Sequence, residues 1–242
     1  MIIKARIFLL FFHIILMMNS SYKIFSIINI VVICLLFSIV DKEVSNKTIH
    51  NILPITICVD PGHGGKDGGA IYGDYVEKDI NLDIGLKLKE ILLDMGYNVV
   101  MTRSSDYHLP INKEYTKLGD LNERIKLVKE SDAFILISIH ANKYELTSVH
   151  GAQTFYRTSS RESMVLASLI QKNITSNFDN NSRISKSIDN IYLLNSLDIP
   201  AVIVESGFMS NSFDLNNITN PDFQEKFANI IADSINEFLL YY

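Results

Sequence analysis

The fold is decided by the stretch Thr56-Ile57-Cys58-Val59-Asp60-Pro61-Gly62-His63-Gly64-Gly65-Lys66-Asp67-Gly68-Gly69. A short apolar run rich in β-branched residues leads directly into a turn of proline and glycines, which predicts a buried strand over 55–59 that ends in a loop. In α/β sheets, ligands bind in the crevice beyond the carboxyl ends of the strands, and glycines there let the backbone approach them closely. His63 therefore lies at the position where α/β folds bind their ligands, although a histidine beside glycines is often a plain turn residue. The loop has neither G-x-x-x-x-G-K-[ST] nor G-x-G-x-x-G, which disfavours a nucleotide-binding loop.

The order of the later elements favours a parallel sheet covered by helices. An amphipathic helical pattern runs from Ile80 to Gly96, and a strand is predicted over 97–102. A nearly continuous apolar run over 133–140 predicts a central strand buried on both faces. This strand ends in His140, a second histidine at a carboxyl end, so we no longer read His63 as a chance turn residue. Further strands are predicted at 151–157, 191–194 and 200–204, and further helices at 120–130, from Ser160 and from near Pro221.

Two glutamates complete a constellation at this edge of the predicted sheet. Glu77 lies in the first turn of a predicted helix, where the helix dipole alone is an ordinary reason for an acidic residue. Glu205 ends a strand that is apolar up to that point; a solvated strand end is the plain interpretation. Catalytic zinc commonly takes three protein ligands such as two histidines and a glutamate, which His63, Glu77 and His140 supply. A further carboxylate is then needed for proton transfer, and Glu205 is the candidate.

Composition excludes several classes of protein. The 242 residues carry a net charge of −5, and no run of Lys and Arg interleaves with aromatic residues, so nucleic acid is not an expected partner. The length suits one sizeable domain. Cys34 lies in an apolar N-terminal run and Cys58 in the predicted buried strand; they are not expected to pair, and neither belongs to a C-x-x-C motif.

The N-terminus predicts a membrane segment. Residues 1–40 contain no acidic residue, and the apolar run over 24–40 reaches the lower limit of the about 17–25 residues that span a bilayer. Lys23 before it and Asp41 after it favour an orientation with the C-terminus outside. The run offers no small residues at the right spacing for signal cleavage, so we favour an uncleaved anchor over a cleaved signal peptide. We therefore divide the chain into an anchor or signal (1–40), a polar linker (41–53) and a catalytic domain (54–242) outside the cytosol.

Four segments carry a family resemblance: Asp60-Pro61-Gly62-His63-Gly64-Gly65, Glu77-Lys78-Asp79-Ile80-Asn81-Leu82, Ser138-Ile139-His140-Ala141-Asn142 and Glu205-Ser206-Gly207-Phe208-Met209-Ser210-Asn211. Together they resemble the zinc-dependent N-acetylmuramoyl-L-alanine amidases of bacterial cell walls, over essentially 55–242. The resemblance implies a single α/β domain with a twisted, mostly parallel sheet flanked by helices. It implies that His63, Glu77 and His140 bind Zn²⁺ and that Glu205 is the catalytic glutamate. The substrate would be peptidoglycan, cut at the amide between the lactyl group of muramic acid and the L-alanine of the stem peptide.

Finer features are similar to one branch of that family, the spore-cortex amidases that act before muramic-δ-lactam formation and hence germination. These features are the small size, the N-terminal anchor, the absence of a wall-binding repeat, and the segments 151–156 and 191–193. The resemblance implies an activating lipoprotein as a possible partner and a location between the forespore membranes or in the cortex. No long helical insertion follows Glu77, which suggests an open site.

Three competing functions stay open at this point: a general vegetative wall amidase, a zinc peptidase that cuts within the stem peptide, and a metal-free wall-binding module. Asn81, Arg103, Arg124 and Asn142 either contact substrate or support the ligands, and for each a structural role is at least as probable. Asp60 either orients a ligand histidine or caps the turn. The remaining histidines are interpreted as surface or incidental residues: His13, His50, His108 and His150.

Overall fold

The computed structural model describes residues 55–111 and 114–241. The strands are β1 (Thr56–Pro61), β2 (Ile71–Tyr72), β3 (Tyr75–Val76), β4 (Asn98–Met101), β5 (Ile135–Asn142), β6 (Gln153–Tyr156), β7 (Lys186–Ser187) and β8 (Ala201–Phe208). The helices are α1 (Glu77–Asp94), α2 (Lys117–Glu130), α3 (Arg161–Asn177), α4 (Tyr192–Asn195), α5 (Ser212–Ile218) and α6 (Pro221–Leu239). The predicted anchor over 1–40 and linker over 41–53 lie outside the described residues. Within the described ranges, no helix combines the length and apolar character needed to cross a bilayer.

A six-stranded sheet forms the centre of the domain, in the order β4-β1-β5-β8-β6-β7. β1 pairs in parallel with β4 and β5, and β5 pairs in parallel with β8. Only β6 runs against its neighbour β8, while β7 is parallel to β6. The sheet is therefore mostly parallel, as predicted, and the carboxyl ends of β1, β5 and β8 meet at one edge.

Helices cover both faces of the sheet. Successive side chains of a strand point to opposite sides, and since the central strands are apolar throughout, both faces must be buried. Ile57, Ile137 and Val204 face a core that includes the apolar sides of α1, α3 and α6. Cys58 and Ile203 face a smaller core that includes residues of α2 and α4. Cys58 is buried and unpaired, as its position in a central strand predicted. The described residues form a single α/β domain with a mostly parallel sheet flanked by helices.

The segment 191–194 was predicted as a strand, and this prediction was wrong. The chain forms the short helix α4, in which the consecutive residues Leu193 and Leu194 are both buried while Tyr192 is exposed. Two adjacent buried side chains cannot both face one side of an edge strand, whereas a helical turn places both against α2. A short apolar run does not distinguish these conformations by periodicity.

Helix α2 begins at Lys117, three residues before its predicted start at residue 120. Its cap is Thr116, whose side chain accepts a hydrogen bond from Gly119 N. Asp120 instead lies inside the helix and is buried, since its carboxylate accepts from Leu109 N at 2.7 Å and from Arg124 Nε at 2.5 Å. Ser160 caps α3 and Pro221 opens α6, as predicted.

Strand β8 continues beyond its predicted end. Backbone pairing with β5 extends to Phe208, so Glu205 lies within the strand rather than at its last position. The sequence over 205–208 contains no apolar alternation that would have indicated this extension. As a result Glu205 is fixed by strand pairing on both sides, to β5 and to β6.

Candidate metal centre

His63 is held by an unusual backbone conformation directly after β1. Its φ of 64° lies in the left-handed region, which a non-glycine residue adopts at a cost. Arg124 Nη2 donates a hydrogen bond of 2.6 Å to the carbonyl oxygen of His63, which fixes this conformation from below. The imidazole is thereby aimed across the sheet edge towards α1.

Glu77 is the first residue of α1 and is anchored by the chain that precedes it. The β2–β3 hairpin folds back so that Ala70 N donates to Glu77 Oε2 at 2.8 Å, and Glu77 N donates to Ala70 O at 2.9 Å. Asn81 Nδ2, one helical turn later, donates to Glu77 Oε1 at 3.2 Å. A Cβ at Gly69, which has φ of 68°, would lie 2.5 Å from Glu77 Oε2. The glycine is needed for the carboxylate to occupy this place.

His140 comes from β5, and its ring lies against the backbone of the glycine loop. A Cβ at Gly62 would approach His140 Cε1 to 2.2 Å, so only glycine leaves room for the ring. His140 Nδ1 lies 2.9 Å from Glu77 Oε1. The rings of His63 and His140 are 5.0 Å apart and nearly perpendicular, at 81°.

The three side chains converge as a metal-ligand set. Glu77 Oε1 lies 3.2 Å from His63 Nε2, and one ligand atom from each of the three residues falls within 4.8 Å of the others. Two imidazoles and a carboxylate are ligands that zinc accepts. His63 Nδ1 also lies 2.9 Å from Asp67 Oδ2, the carboxylate contact that usually orients a zinc-binding histidine. In residues 55–111 and 114–241 this is the only such cluster, and its chemistry fits zinc.

The electrostatics of the cluster follow from its unlike charges. Burial opposes ionisation of Glu77, but hydrogen bonds and charge from His140 and His63 hold its pKa well below the usual range. Burial favours a neutral His63, but Glu77 and Asp67 outweigh it and raise the pKa of His63 to about 9. The carboxylates of Glu77 and Asp67 therefore favour positive charge at the centre. In the metal-free protein, protonated His63 supplies that charge.

Glu205 lies beside this cluster on the same face of the sheet. It occupies the position of β8 that is paired with His140 of β5, so the two side chains point to the same side. Glu205 Oε2 is buried and has no hydrogen-bond partner among the described residues. Burial raises the pKa of Glu205 to about 7; the charge of His140 opposes this shift and that of Glu77 adds to it. A buried carboxylate without a partner is costly, which indicates that a ligand or reactant completes the site.

The buried ion pair of Asp60 and Arg124 supports the loop. Asp60 accepts hydrogen bonds of 2.6 Å from Ser138 Oγ, Thr102 Oγ1 and Arg124 Nη1. Arg124, held in place by Asp60, also donates a hydrogen bond to the His63 carbonyl oxygen. Asp60 therefore neither contacts a ligand histidine directly nor simply caps the turn, but positions His63 through Arg124.

Arg103 is a second buried support of the loop. Its guanidinium donates to Pro61 O at 2.9 Å, to Gly62 O at 3.0 Å and to Lys78 O at 2.6 Å. Arg103 and Arg124 thus bind backbone carbonyls from beneath the site, and their structural interpretation is the one that the contacts support. Asn142 ends β5, half-buried, and its Oδ1 accepts from Lys143 N at 2.8 Å.

The histidines interpreted as incidental stay apart from the cluster where the structure describes them. His108 packs its ring against Tyr115, at 5.3 Å between centroids, and His150 is exposed. His13 and His50 lie outside the described residues.

A cleft that sequence reasoning missed opens beside His63 and His140. Its volume is about 300 Å³, and its far walls come from α2 and from the segment around α4, including Lys117 and Tyr192. The sequence predicted a strand over 191–194 rather than a helix, so it gave no indication that Tyr192 contacts α2 across this cleft. Asp67 was also missed, although its position four residues after His63 was the available signal.

Comparison with known proteins gives a consistent result. Residues 57–237 match the family model described as N-acetylmuramoyl-L-alanine amidase. The germination-specific N-acetylmuramoyl-L-alanine amidase of Bacillus subtilis is 38% identical over 183 residues, covering 74% of this chain and 77% of that protein.

Two solved structures extend the similarity to three dimensions. The CwlD amidase of Clostridioides difficile, solved in complex with the GerS lipoprotein, superposes with a TM-score of 0.72 at 38% identity, covering 78% of this chain and all of that one. The catalytic domain of the amidase CwlV from Bacillus (Paenibacillus) polymyxa gives a TM-score of 0.68 at 31% identity, covering 76% and 98%.

Proposed function

Because the chain belongs to the N-acetylmuramoyl-L-alanine amidase family, we propose that His63, Glu77 and His140 bind its zinc ion and that Glu205 is its catalytic carboxylate. The protein hydrolyses the amide between the lactyl group of muramic acid and the L-alanine of the stem peptide in peptidoglycan. The observation that carries the residue assignment is the approach of Glu77 Oε1 to both imidazoles, at 3.2 Å and 2.9 Å.

His63, Glu77 and His140 would hold the zinc ion, which would supply Lewis acidity to polarise the scissile carbonyl and to acidify the attacking water. Glu205, fixed beside His140, takes a proton from that water and later gives it to the departing nitrogen of L-alanine. Water thereby adds its hydroxyl to the lactyl carbon as the carbon–nitrogen bond breaks.

The ligand assignment is tested by metal analysis and product analysis of the full-length protein. Wild type incubated with excess zinc is expected to bind about one equivalent, as in mononuclear zinc enzymes, and to release intact stem peptides that begin with L-alanine. His140→Ala is expected to lose both properties. Shortened stem peptides would instead indicate a zinc peptidase, and wall binding with neither zinc nor release would indicate a metal-free module.

We further propose that the amidase acts on spore cortex, so that muramic-δ-lactam can form for germination. The germination-specific relative and the N-terminal segment support this placement outside the cytosol, with residues 1–40 as the anchor or signal and 54–242 as the catalytic domain. Spores that lack the protein are expected to contain cortex without muramic-δ-lactam, as measured by mass spectrometry of their muropeptides. Normal lactam content would favour the vegetative wall as the substrate.

A lipoprotein partner is proposed on the basis of the CwlD complex with GerS. We propose that such a partner aids zinc loading of this chain. Zinc content of protein purified alone is then expected to be below one equivalent and to rise in the presence of the partner. Full zinc occupancy of the isolated chain would remove this requirement.

A further inference from the structure

The cleft beside the metal ligands continues the face of the sheet that carries Glu205. Ile203 lines it and lies two residues before Glu205 on β8, so both side chains point to the same side. Leu121 of α2 and Ile191 before α4 add apolar walls. Tyr192 Oη donates to Asn122 Oδ1 at 3.0 Å and so joins the two walls. The cleft is thus lined by His63 and His140 on one side and by residues of α2 and α4 on another.

Apart from Lys117, the charged side chains in the lining of this cleft each contact a group of opposite charge, although Asp60 and Asp120 share one guanidinium. Asp60 and Asp120 pair with Arg124 at 2.6 Å and 2.5 Å. Asp67 contacts His63 and accepts a hydrogen bond of 3.0 Å from Tyr115.

Lys117 is different from these lining residues. It is exposed, and it makes no ion pair with any residue that the structure describes. It also occupies the first position of α2, where the helix dipole repels a cation and attracts an anion. The ammonium group of Lys117 is therefore available to pair with an anionic ligand in the cleft.

The position of Glu205 gives the direction of the substrate. Its carboxylate must reach the nitrogen of the leaving L-alanine, so the peptide side of the scissile bond begins at Glu205. From there Ile203 lies about 7 Å along β8 towards the cleft. The second residue of a stem peptide is D-glutamate linked through its γ-carboxyl group, which leaves its α-carboxylate free or, in other walls, amidated. That group lies about two residues, or roughly 7 Å, from the scissile nitrogen.

We propose that this cleft is the subsite for the leaving stem peptide and that Lys117 binds the free α-carboxylate of its second residue. The inference rests on the proposed function and adds a substrate preference to it: stems with an acidic second residue are cleaved more efficiently than amidated ones. Lys117 is exposed, so the contribution is that of a solvent-screened pair, a few-fold in affinity rather than orders of magnitude. The carboxylate is bound equally in ground and transition states, so the preference resides in KM and leaves kcat unchanged.

Kinetics on two matched substrates test the inference. The zinc-loaded full-length protein is given peptidoglycan fragments of equal glycan length that differ only in a free α-carboxylate or an α-carboxamide at the second stem residue. Wild type is expected to show about a three- to tenfold higher kcat/KM for the acidic fragment, through KM. Lys117→Met is expected to abolish this ratio by raising KM for the acidic fragment alone, and Lys117→Arg to restore most of it. Lys129→Met, in the exposed last turn of the same helix, is the matched control and is expected to behave as wild type.

Each alternative outcome identifies what has failed. Equal kcat/KM of wild type for both fragments, or equal losses on both in Lys117→Met, would overturn the subsite while leaving the amidase intact. Loss of the ratio in Lys129→Met as well would show a general charge effect and overturn the role of Lys117. Absence of cleavage of either fragment by wild type would instead remove the proposed function, and the subsite with it.

Discussion

His140 and Glu205 occupy paired positions on the neighbouring parallel strands β5 and β8, so a proposed metal ligand and the proposed catalytic carboxylate stand side by side on one face of the sheet. Strand pairing on both sides of β8 holds Glu205 without any hydrogen bond to its Oε2. This arrangement places an ionisable oxygen next to the centre and leaves it free for a reactant.

Replacement of Glu205 by glutamine is expected to separate metal binding from turnover. Glutamine keeps the size of the side chain but cannot shuttle a proton, so kcat should fall by about 10²–10⁴-fold while zinc content stays at the wild-type level. Zinc analysis and a peptidoglycan-release assay on the same preparation provide the measurement. Undiminished turnover would exclude Glu205 from the mechanism, and lost zinc would make it a ligand.

The same substitution is expected to stabilise the metal-free protein at alkaline pH. Burial raises the pKa of Glu205 from its ordinary value of 4.5 to about 7. Below pH 4.5 both folded and unfolded forms are protonated and the group costs nothing; above about pH 7 the folded form must carry the buried charge. The penalty therefore grows between these values, to about 3 kcal/mol if the full shift applies.

Chemical denaturation of both metal-free proteins between pH 4 and pH 8 measures this difference. Wild type should match Glu205→Gln at pH 4 and fall progressively below it towards pH 8. Comparison with the variant removes the contribution of groups that are distant from Glu205. A constant difference across the range would show that the carboxylate is solvated.

Gly69→Ala is expected to damage the metal centre more than the fold. A Cβ there would lie 2.5 Å from Glu77 Oε2 and 2.7 Å from His63 Cδ2, so two ligands must move. Zinc affinity should fall by at least tenfold, in the range seen when the support of a ligand is lost. Competition with a fluorescent zinc chelator provides the measurement.

Gly73, in the turn of the β2–β3 hairpin, offers a matched control for Gly69→Ala. Gly73 has φ of 59°, close to the 68° of Gly69, but a Cβ there would meet nothing within 4 Å. Gly73→Ala thus introduces a similar backbone strain, about 1–2 kcal/mol, without a clash with the ligands. If both variants lost zinc equally, backbone strain rather than displacement of Glu77 would be responsible.

The sequence predicted the central sheet, and it predicted that His63 and His140 would lie at one edge of it, because both features leave local signals. A buried parallel strand is a continuous apolar run, and the residues at its end mark the edge where ligands bind; both His63 and His140 were found in this way. Glu77 and Glu205 carry weaker local signals, since an acidic residue at a helix start or strand end is ordinary; they became candidates only together with the two histidines.

The parts that escaped prediction depend on contacts between distant segments. The helical conformation of α4 is set by packing of Leu193 and Leu194 against α2, which no local periodicity encodes. The role of Asp60 depends on Arg124, more than sixty residues away, and the start of α2 depends on Asp120 being drawn into the same network. The cleft between α2 and α4 follows from these two elements together, so it became visible only in the folded chain.

Ser138→Ala is expected to weaken the fold through the Asp60 network and to do so in a pH-dependent manner. Burial alone would raise the pKa of Asp60, but the charge of Arg124 and hydrogen bonds from Ser138 and Thr102 lower it to about 2. An acid with a depressed pKa stabilises the fold above its ordinary pKa near 4, and this contribution disappears as the pH falls through 2. Loss of one donor to a buried charge should cost about 1–3 kcal/mol at pH 7, measured by denaturant unfolding. The difference from wild type should shrink between pH 4 and pH 2, because protonated Asp60 no longer needs that donor.

Ser131→Ala, which removes a hydroxyl bonded to Val128 O at the end of α2, is the control and is expected to show a small and pH-independent change. A pH-independent loss in Ser138→Ala would mean that the serine contributes by packing and that the charge of Asp60 rests on Arg124 alone.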